Sequence, residues 1–419
     1  MKQGWEVKTI ENVCSFFGDG DWIESKDQST DGVRLVQTGN VGAGFFKDRG
    51  EKARYVSQDT FERLRCTEII EGDCLISRLP DPVGRGCILP NTGEKMITAV
   101  DCTIIRFDKN RILPNWFVLY TLSNEYQRQI NSQVSGATRQ RISRKNLGLI
   151  EIPLPPFPEQ QRIVVILDEA FAAIAQAKAN AEQNLKNAKE LFESYLQSVF
   201  ENKGEGWEER RLGESNLIEI IDGDRGKNYP TQKDFFDEGF CLFMNTKNVR
   251  PTGFEFNSTM FISEVKDKSM GKGKLKRNDV VLTTRGTIGN LGVFNDDVEY
   301  DNIRINSGML IFRPNLTQIT SQYLFEILRS GIIKEQIKKQ VTGAAQPQLP
   351  IKTLFNFVFP VPKSLQEQQS IVQKLDALST ETKQLEAIYQ QKINDLDELK
   401  KSILQKAFAG ELNTTALEV

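Results

Sequence analysis

Markers in the first half of this 419-residue chain return in the same order in the second. Gly4-Trp5-Glu6 is echoed by Gly206-Trp207-Glu208, Asp19-Gly20-Asp21 by Asp222-Gly223-Asp224, and Thr38-Gly39-Asn40-Val41 by Thr246-Lys247-Asn248-Val249. Gly136-Ala137 recurs as Gly343-Ala344, and Pro153-Leu154-Pro155 as Pro360-Val361-Pro362. The fullest echo sets Glu159-Gln160-Gln161-Arg162-Ile163-Val164 against Glu367-Gln368-Gln369-Ser370-Ile371-Val372, five of six identical. The offset drifts only from 202 to 208, which confines insertions to loops. Internal repetition on this scale reads as a tandem duplication, so the chain is expected to fold as two copies of one architecture.

Within each copy the texture changes once. Before the Pro-x-Pro marker come short β-rich runs broken by Gly, Asn, Asp and Pro: Cys74–Ser77 and Cys102–Ile105 in one half, Val280–Thr283 and Met309–Phe312 in the other. Helical stretches are expected around Trp116 to Gln129 and Gln322 to Lys339. After the marker both copies run on a helical period for more than forty residues, towards Gly204 and Gly410. The expected fold class is α+β: two mixed α/β domains in pseudo-two-fold arrangement, over 1–155 and 206–363, joined by two long antiparallel coiled-coil helices over 156–205 and 364–412.

The first long segment places Leu167, Ala170, Ile174, Ala177, Ala181, Asn184, Ala188, Leu191 and Tyr195 at steps of three and four. The second places Ile371, Leu375, Leu378, Thr382, Leu385, Tyr389, Lys392, Leu396, Leu399 and Ile403 likewise. Sustained heptads demand a partner helix, and the segments are expected to pair with each other through Leu167, Ile174, Ala181, Leu191, Leu378, Leu385, Leu396 and Leu399. Ser364 followed by Glu367 fits a capping box at the second helix's start. At 1.5 Å per residue, about 43 residues give a rod of roughly 65 Å.

The composition removes much catalytic chemistry. There is no histidine, hence no Ser-His-Asp triad, Cys-His pair or His-ligated metal. The six cysteines form no CxxC and suit reduced, mostly buried thiols. Apolar runs fall far short of the roughly 18–20 residues of a membrane span, no secretory leader is expected from the polar opening, and a cytoplasmic location follows. Phe16-Phe17-Gly18-Asp19-Gly20 has the shape of a methyl-donor loop, but its counterpart Ile220–Asp224 loses the pattern and no catalytic tetrapeptide follows. Gly271-Lys272-Gly273-Lys274 lacks phosphate-loop spacing. Asp296, Asp297, Glu299 and Asp301 read as a solvated acidic loop rather than a cation site. No metal, cofactor or catalytic centre is expected in this chain.

A formal charge of −2 supplies no global attraction for a polyanion, so local patches must. Arg139, Arg141, Arg144 and Lys145 lie in an acid-free stretch, and Lys266 to Arg277 holds Lys266, Lys268, Lys272, Lys274, Lys276 and Arg277 with only Asp267 opposing; such loops suit phosphate contact. Arginines mixed with amides in turn-prone segments add candidate base readers: Thr38 and Asn40, Arg78 with Arg85, and Arg139 with Arg141 in the first half. The second half has Arg225, Lys227 and Tyr229, then Asn245, Lys247 and Asn248, Arg285 with Asn290, and Gln346 with Gln348. Arg suits guanine, and Asn or Gln suits adenine. Arg141 standing opposite Gln348 would give the two copies different base preferences.

Two non-identical mixed domains, each closed by Pro-x-Pro, then Glu-Gln-Gln-x-Ile-Val, then a long helix, resemble the specificity subunit of type I restriction–modification enzymes over essentially the whole chain. Asp222–Lys227 and Asn245–Val249 look like that family's target recognition domains. The resemblance implies a non-catalytic subunit whose two domains each read half of a split target in double-stranded DNA, with paired helices setting the gap. It also implies docking of two methyltransferase subunits and of restriction and translocase subunits, which bring S-adenosylmethionine, ATP and magnesium. Rival readings are a fused methyltransferase using Phe16 to Gly20, and a protein-interaction scaffold built on the coiled coil.

Overall fold

The computed structural model describes residues 3–136, 138–341 and 348–412. It divides into two compact units, Met1–Glu182 with Gln391–Val419, and Gln183–Gln390.

In the first unit the strands are β1 (Glu6–Thr9), β2 (Cys14–Asp19), β3 (Gln28–Ser29), β4 (Val33–Val36), β5 (Arg54–Val56), β6 (Cys74–Ser77), β7 (Gly86–Ile88), β8 (Met96–Thr98), β9 (Cys102–Phe107) and β10 (Glu151–Leu154). An antiparallel sheet of order β2-β9-β6-β7 lies at the centre, and a second sheet runs β3-β5-β4-β8. Alternation along β6 and β9 sends successive apolar residues to opposite faces, and both faces are buried. Cys74, Ile76 and Ile105 enter the core of α2 (Pro114–Thr121) and α3 (Asn124–Gln133), whereas Leu75 and Ile104 enter the core shared with Val36 and Met96 of the second sheet.

The second unit repeats the plan with β11 (Glu208–Arg211), β12 (Ile218–Asp222), β13 (Cys241–Met244), β14 (Val249–Arg250), β15 (Gly253–Phe254), β16 (Phe261–Ile262), β17 (Val280–Thr283), β18 (Leu291–Val293), β19 (Ile303–Ile305), β20 (Met309–Pro314) and β21 (Val358–Val361). Its central order, β12-β20-β17-β18, matches the first, and β16-β13-β19 takes the place of the second sheet. All six cysteines are free thiols, five of them buried.

The repeated markers are one device used twice. Gln160 is wholly buried. Its Oε1 accepts the Leu113 amide at 2.9 Å, and its Nε2 donates to the Arg111 carbonyl at 3.0 Å and the Pro155 carbonyl at 2.9 Å. Gln368, equally buried, accepts from the Thr320 amide at 2.9 Å and donates to Gln318 at 2.9 Å and Pro362 at 3.1 Å. The preceding glutamates accept the indole N–H of the repeated tryptophans, Trp5 to Glu159 at 3.2 Å and Trp207 to Glu367 at 2.7 Å. The middle of the interlock is an aromatic donor to the Pro-x-Pro carbonyl, Trp116 to Pro153 and Tyr323 to Pro360, both at 2.9 Å. Ser364 does accept the Glu367 amide, at 3.4 Å, but the Glu367 carboxylate takes the indole rather than completing a capping box.

The long segments are continuous helices, α5 (Phe157–Glu201) and α10 (Leu365–Ala409), following α1 (Gln58–Arg63) and α4 (Arg144–Gly148) in the first unit and α6 (Glu264–Ser269), α7 (Ser321–Arg329), α8 (Gly331–Gln340) and α9 (Ile351–Leu354) in the second. In the first unit, Ile163, Val164 and Leu167 of α5 share a core with Leu404, Ala407 and Phe408 of α10. In the second, Leu196 and Phe200 share one with Val372 and Leu375. The beginning of each helix therefore meets the end of the other.

One of the two heptad series is displaced by a residue in both helices. Leu167, Ile174 and Ala181 are buried and Leu378 and Leu396 half-buried, but Leu191, Leu385 and Leu399 are exposed, by 48%, 38% and 47%. The covered series is Phe171, Lys178, Leu185, Phe192 and Val199 in α5, and Ser379, Glu386, Ile393 and Lys400 in α10. Selecting apolar residues misses it because long polar side chains lie across the seam. Lys178 donates to both oxygens of Asp397, at 2.6 and 2.8 Å, and the Lys400 ammonium sits 4.8 Å from the Phe171 ring centroid.

Replacing Gln160 or Gln368 by Leu removes the partner of three backbone groups at once and is expected to cost about 3 kcal/mol. The unfolding midpoint in urea measures this; a loss below about 0.5 kcal/mol contradicts the interlock. Glu326 of α7 supplies a pH test. Burial pushes its carboxyl up to about 7, against the opposing Arg329, whose guanidinium lies 4.6 Å from the Phe192 centroid. Because that value lies above 4.5, the fold favours the protonated acid. The stabilisation is complete at low pH and is lost as pH rises through about 7. Melting temperatures between pH 5 and 8 should fall more steeply for wild type than for Glu326→Gln; parallel curves would contradict this.

Candidate nucleic-acid interface

The repeated Asp-Gly-Asp closes one corner of each domain. A side chain on Gly20 would press within 2.4 Å of the Thr98 and Ala99 carbonyls, and one on Gly223 within 2.1 Å of the Asn306 carbonyl, so only glycine allows the crossing. The second aspartate clamps a facing loop: Asp21 accepts the Thr67 amide at 2.9 Å, and Asp224 accepts Gly271 at 2.7 Å and Gly226 at 2.6 Å. Burial raises the Asp21 carboxyl above its ordinary value. At Asp224 burial acts the same way, but the amides outweigh it and hold the carboxyl low. The segment Phe16 to Gly20 is largely strand β2, paired with β9, and not a loop.

Backbone register equates the two corners. The Arg78 amide donates to the Asp101 carbonyl and the Ile142 amide to the Arg78 carbonyl. In the second domain Thr284 donates to Gly308, and Leu349 to Thr284. Arg141 therefore corresponds to Gln348, Asp101 to Gly308, and Trp22, which follows Asp-Gly-Asp, to Arg225.

Several expected base readers are instead held within the fold, by side-chain hydrogen bonds, through their backbone carbonyl or by ring packing. Asn40 accepts the Gln37 amide and donates to Lys47, and Asn248 accepts Asn245 and donates to Glu255 and Ser258. Both are buried caps of short turns. Thr38 supplies the carbonyl that Arg85 grips; Arg85 also donates to Val41, Leu79 and Pro82, and is 8% exposed. Asn290 plays the same part, donating to the Val249 carbonyl at 2.8 Å. Asn245 caps Lys247, and Tyr229 packs its ring 5.7 Å from that of Phe243. Arg78 is 4% exposed, bound to the Val100 carbonyl, and burial draws its guanidinium below the ordinary arginine range.

Other expected residues do reach the surface. Arg139, Arg141 and Arg144 have side chains 72%, 44% and 49% exposed, and Lys145 is exposed beside them. With Arg78 they face two carboxylates: Asp19 pairs with Arg78 at 3.3 Å and Arg144 at 3.7 Å, and Asp101 with Arg141 at 3.3 Å and Arg139 at 3.8 Å. These distances exceed the ~2.7–2.9 Å of tight charge-assisted bonds. Four guanidiniums over two carboxylates leave positive charge in excess, and exposed pairs this loose exchange their partner readily. In the second domain Arg225, Lys227, Lys247, Arg285 and Gln348 are exposed. Arg225 touches Asp222 and the Ser307 carbonyl, both at 3.3 Å, and Arg285 bridges Gln348 through the backbone. Gln346 lies outside the described residues.

Four of the six cations in the Lys266 to Arg277 run are paired with carboxylates. Lys266 pairs with Asp234, Lys268 with Glu264, Lys274 with Asp267 and Arg277 with Asp301, at 2.7–3.2 Å. Sequence reading overlooked Trp22, 71% exposed, and Asp101. The available signal for Trp22 was its position directly after a repeated turn.

A family model described as the type I restriction modification DNA specificity domain matches residues 2–187 and again 204–395. The MjaVIII type I restriction enzyme specificity subunit of Methanocaldococcus jannaschii is 26% identical over 371 residues, 85% of this chain and 83% of that protein. The EcoBI specificity subunit of Escherichia coli is 26% identical over 68% of this chain and 64% of its own length. Among solved structures, the HsdS subunit from Thermoanaerobacter tengcongensis covers 98% of each chain at 20% identity and a TM-score of 0.66. A chain from a study of complex assembly and conformational transition in a type I R-M system reaches a TM-score of 0.77 at 20% identity, over 98% of this chain and 99% of that one. These likenesses carry the fold.

Substituting Arg85 by Met is expected to lower stability by about 3 kcal/mol or more, since four backbone carbonyls lose a charged donor. Arg141→Ala and Arg285→Ala should stay within about 0.5 kcal/mol of wild type. Thermal melting of the three variants distinguishes framework arginines from surface ones.

Proposed function

The chain belongs to the type I restriction–modification DNA specificity family, and from that membership we propose that it selects the DNA target of such a complex without itself catalysing a reaction. Each domain applies its corner to one short word of double-stranded DNA. The observation that carries this reading is the contrast between frame and corner: equivalent interlocks hold both domains, while register-equivalent exposed positions differ, Arg141 against Gln348 and Trp22 against Arg225. Arginine suits guanine and glutamine suits adenine, each good pair being worth ~1–3 kcal/mol of discrimination. Different side chains at matching places give two different words, hence an asymmetric split target.

The partners in this reading are two methyltransferase subunits and the restriction and translocase subunits. S-adenosylmethionine, ATP and magnesium act in those subunits and not in this chain. Val165, Leu191, Leu385, Ile388 and Leu399, exposed on the long helices, supply apolar surface for such docking. The length of the helices sets the gap between the words. Among the described residues no helix is long and apolar enough to cross a membrane. In this reading the complex works in the cytoplasm, where its DNA lies.

Co-expression with methyltransferase subunits and mapping of modified adenines should reveal two short words at a fixed gap. Arg141→Ala should relax one word and Arg285→Ala the other; equal loss on every sequence would refute base readout. With about six phosphate contacts, log affinity should fall against log salt with a slope near −5, and salt-independent binding would refute the interface.

A further inference from the structure

Beside the first domain's corner lies a cleft of about 380 Å³ that, among the described residues, has no aromatic counterpart in the second. Trp22, Gln37, Leu79, Asp101, Arg139 and Arg141 line it. Trp22 is the one tryptophan that neither reaches a core nor joins the interlock: Trp5 and Trp116 are buried, and Trp207 is bonded to Glu367. Its indole stays 71% exposed and is held by a bond from Nε1 to Glu24 at 3.3 Å. An indole fixed at the rim of a polar cleft contributes little to folding and much to capturing a planar ligand. The cleft falls within the ~300–1,000 Å³ of small-ligand sites.

The chemistry of the walls narrows the ligand. Asp101 offers acceptors beside the donors of Arg141, 3.3 Å away, and Arg139. That juxtaposition matches guanine, whose edge sets ring and exocyclic N–H donors beside the O6 and N7 acceptors. A base still in the duplex is read by side chains protruding into a groove, whereas a concave site with an aromatic wall suits a base taken out of the stack. At the equivalent corner of the second domain Arg225 replaces the tryptophan and Gly308 replaces Asp101. The cleft beside Arg225, about 510 Å³, is lined by Asp222, Lys227 and Lys272 with no aromatic ring.

We propose that the first domain holds one extruded base of its half-site, best a guanine, stacked on Trp22 and bonded to Asp101 and Arg141, while the second reads its half-site without extrusion. The proposal rests on the DNA-recognition reading. To test it, the chain is assembled with its methyltransferase subunits, the target is taken from adenine mapping, and affinity is measured on duplexes mismatched at one base pair at a time. A mismatch opposite an extruded base removes part of the unpairing cost, so one position in the first half-site should bind several-fold more tightly. Trp22→Ala should weaken first-half-site binding by about tenfold and abolish that gain, while Trp22→Phe retains most of both. No tighter-binding mismatch, or an Ala variant within twofold of wild type, would overturn the proposal and leave sequence-specific recognition standing. A wild-type complex without sequence preference would overturn the recognition reading, and the proposal with it.

Discussion

A buried amide that no water reaches must find all its partners in the protein, and Gln160 and Gln368 do so by joining three segments. Each links the first turn of a long helix to the loop before a short helix and to the end of the Pro-x-Pro strand. The mixed domain is thereby seated on its helix at a fixed register. The Trp5 and Trp207 indoles fasten the opening of each domain to the glutamate one residue earlier. Residues separated by about 150 positions along the chain thus meet at one joint, and the loops between are released from holding the fold.

The arginines divide according to this frame. Arg106 grips the wholly buried Asp73 with two bonds of 2.7 Å, and Arg313 grips Asp279 at 2.8 and 2.9 Å. Arg85 and Arg304 are surrounded by backbone carbonyls. Removing any of these leaves buried groups without partners, which keeps them structural. Arg139, Arg141 and Arg144 have long, solvent-screened pairings instead. A chain of net charge −2 can still present a cationic corner, because the field there is set by the charges that stand close by and not by the total.

The duplication, the strand runs at Cys74–Ser77 and Val280–Thr283, and the long helices were legible because each is a pattern within the sequence. The seam of the helices was half legible: the series through Leu167, Ile174 and Ala181 follows hydrophobicity, while the other passes through Lys178 and Lys400, whose apolar stems a residue name does not advertise. The corners were the least legible part. Arg85 and Arg141 read alike in sequence, and what separates them is the Val41 carbonyl, 44 residues from Arg85 along the chain. The repeated asparagines misled for the opposite reason: their recurrence marked a shared turn, so repetition itself argued for framework.

That last point inverts the usual weight given to repeated residues. In a duplicated molecule that must distinguish two different words, whatever is retained in both copies serves what the copies share, which is the fold. Selectivity has to sit where register is kept and identity is not. Asp101 against Gly308 is the sharpest case: the backbone accepts the same amide hydrogen bond at both positions, so the geometry survives while a carboxylate is present in one corner and absent from the other. Such exchanges at exposed ends of a rigid frame cost little stability, so a rigid joint and freely varying corners are two consequences of one arrangement.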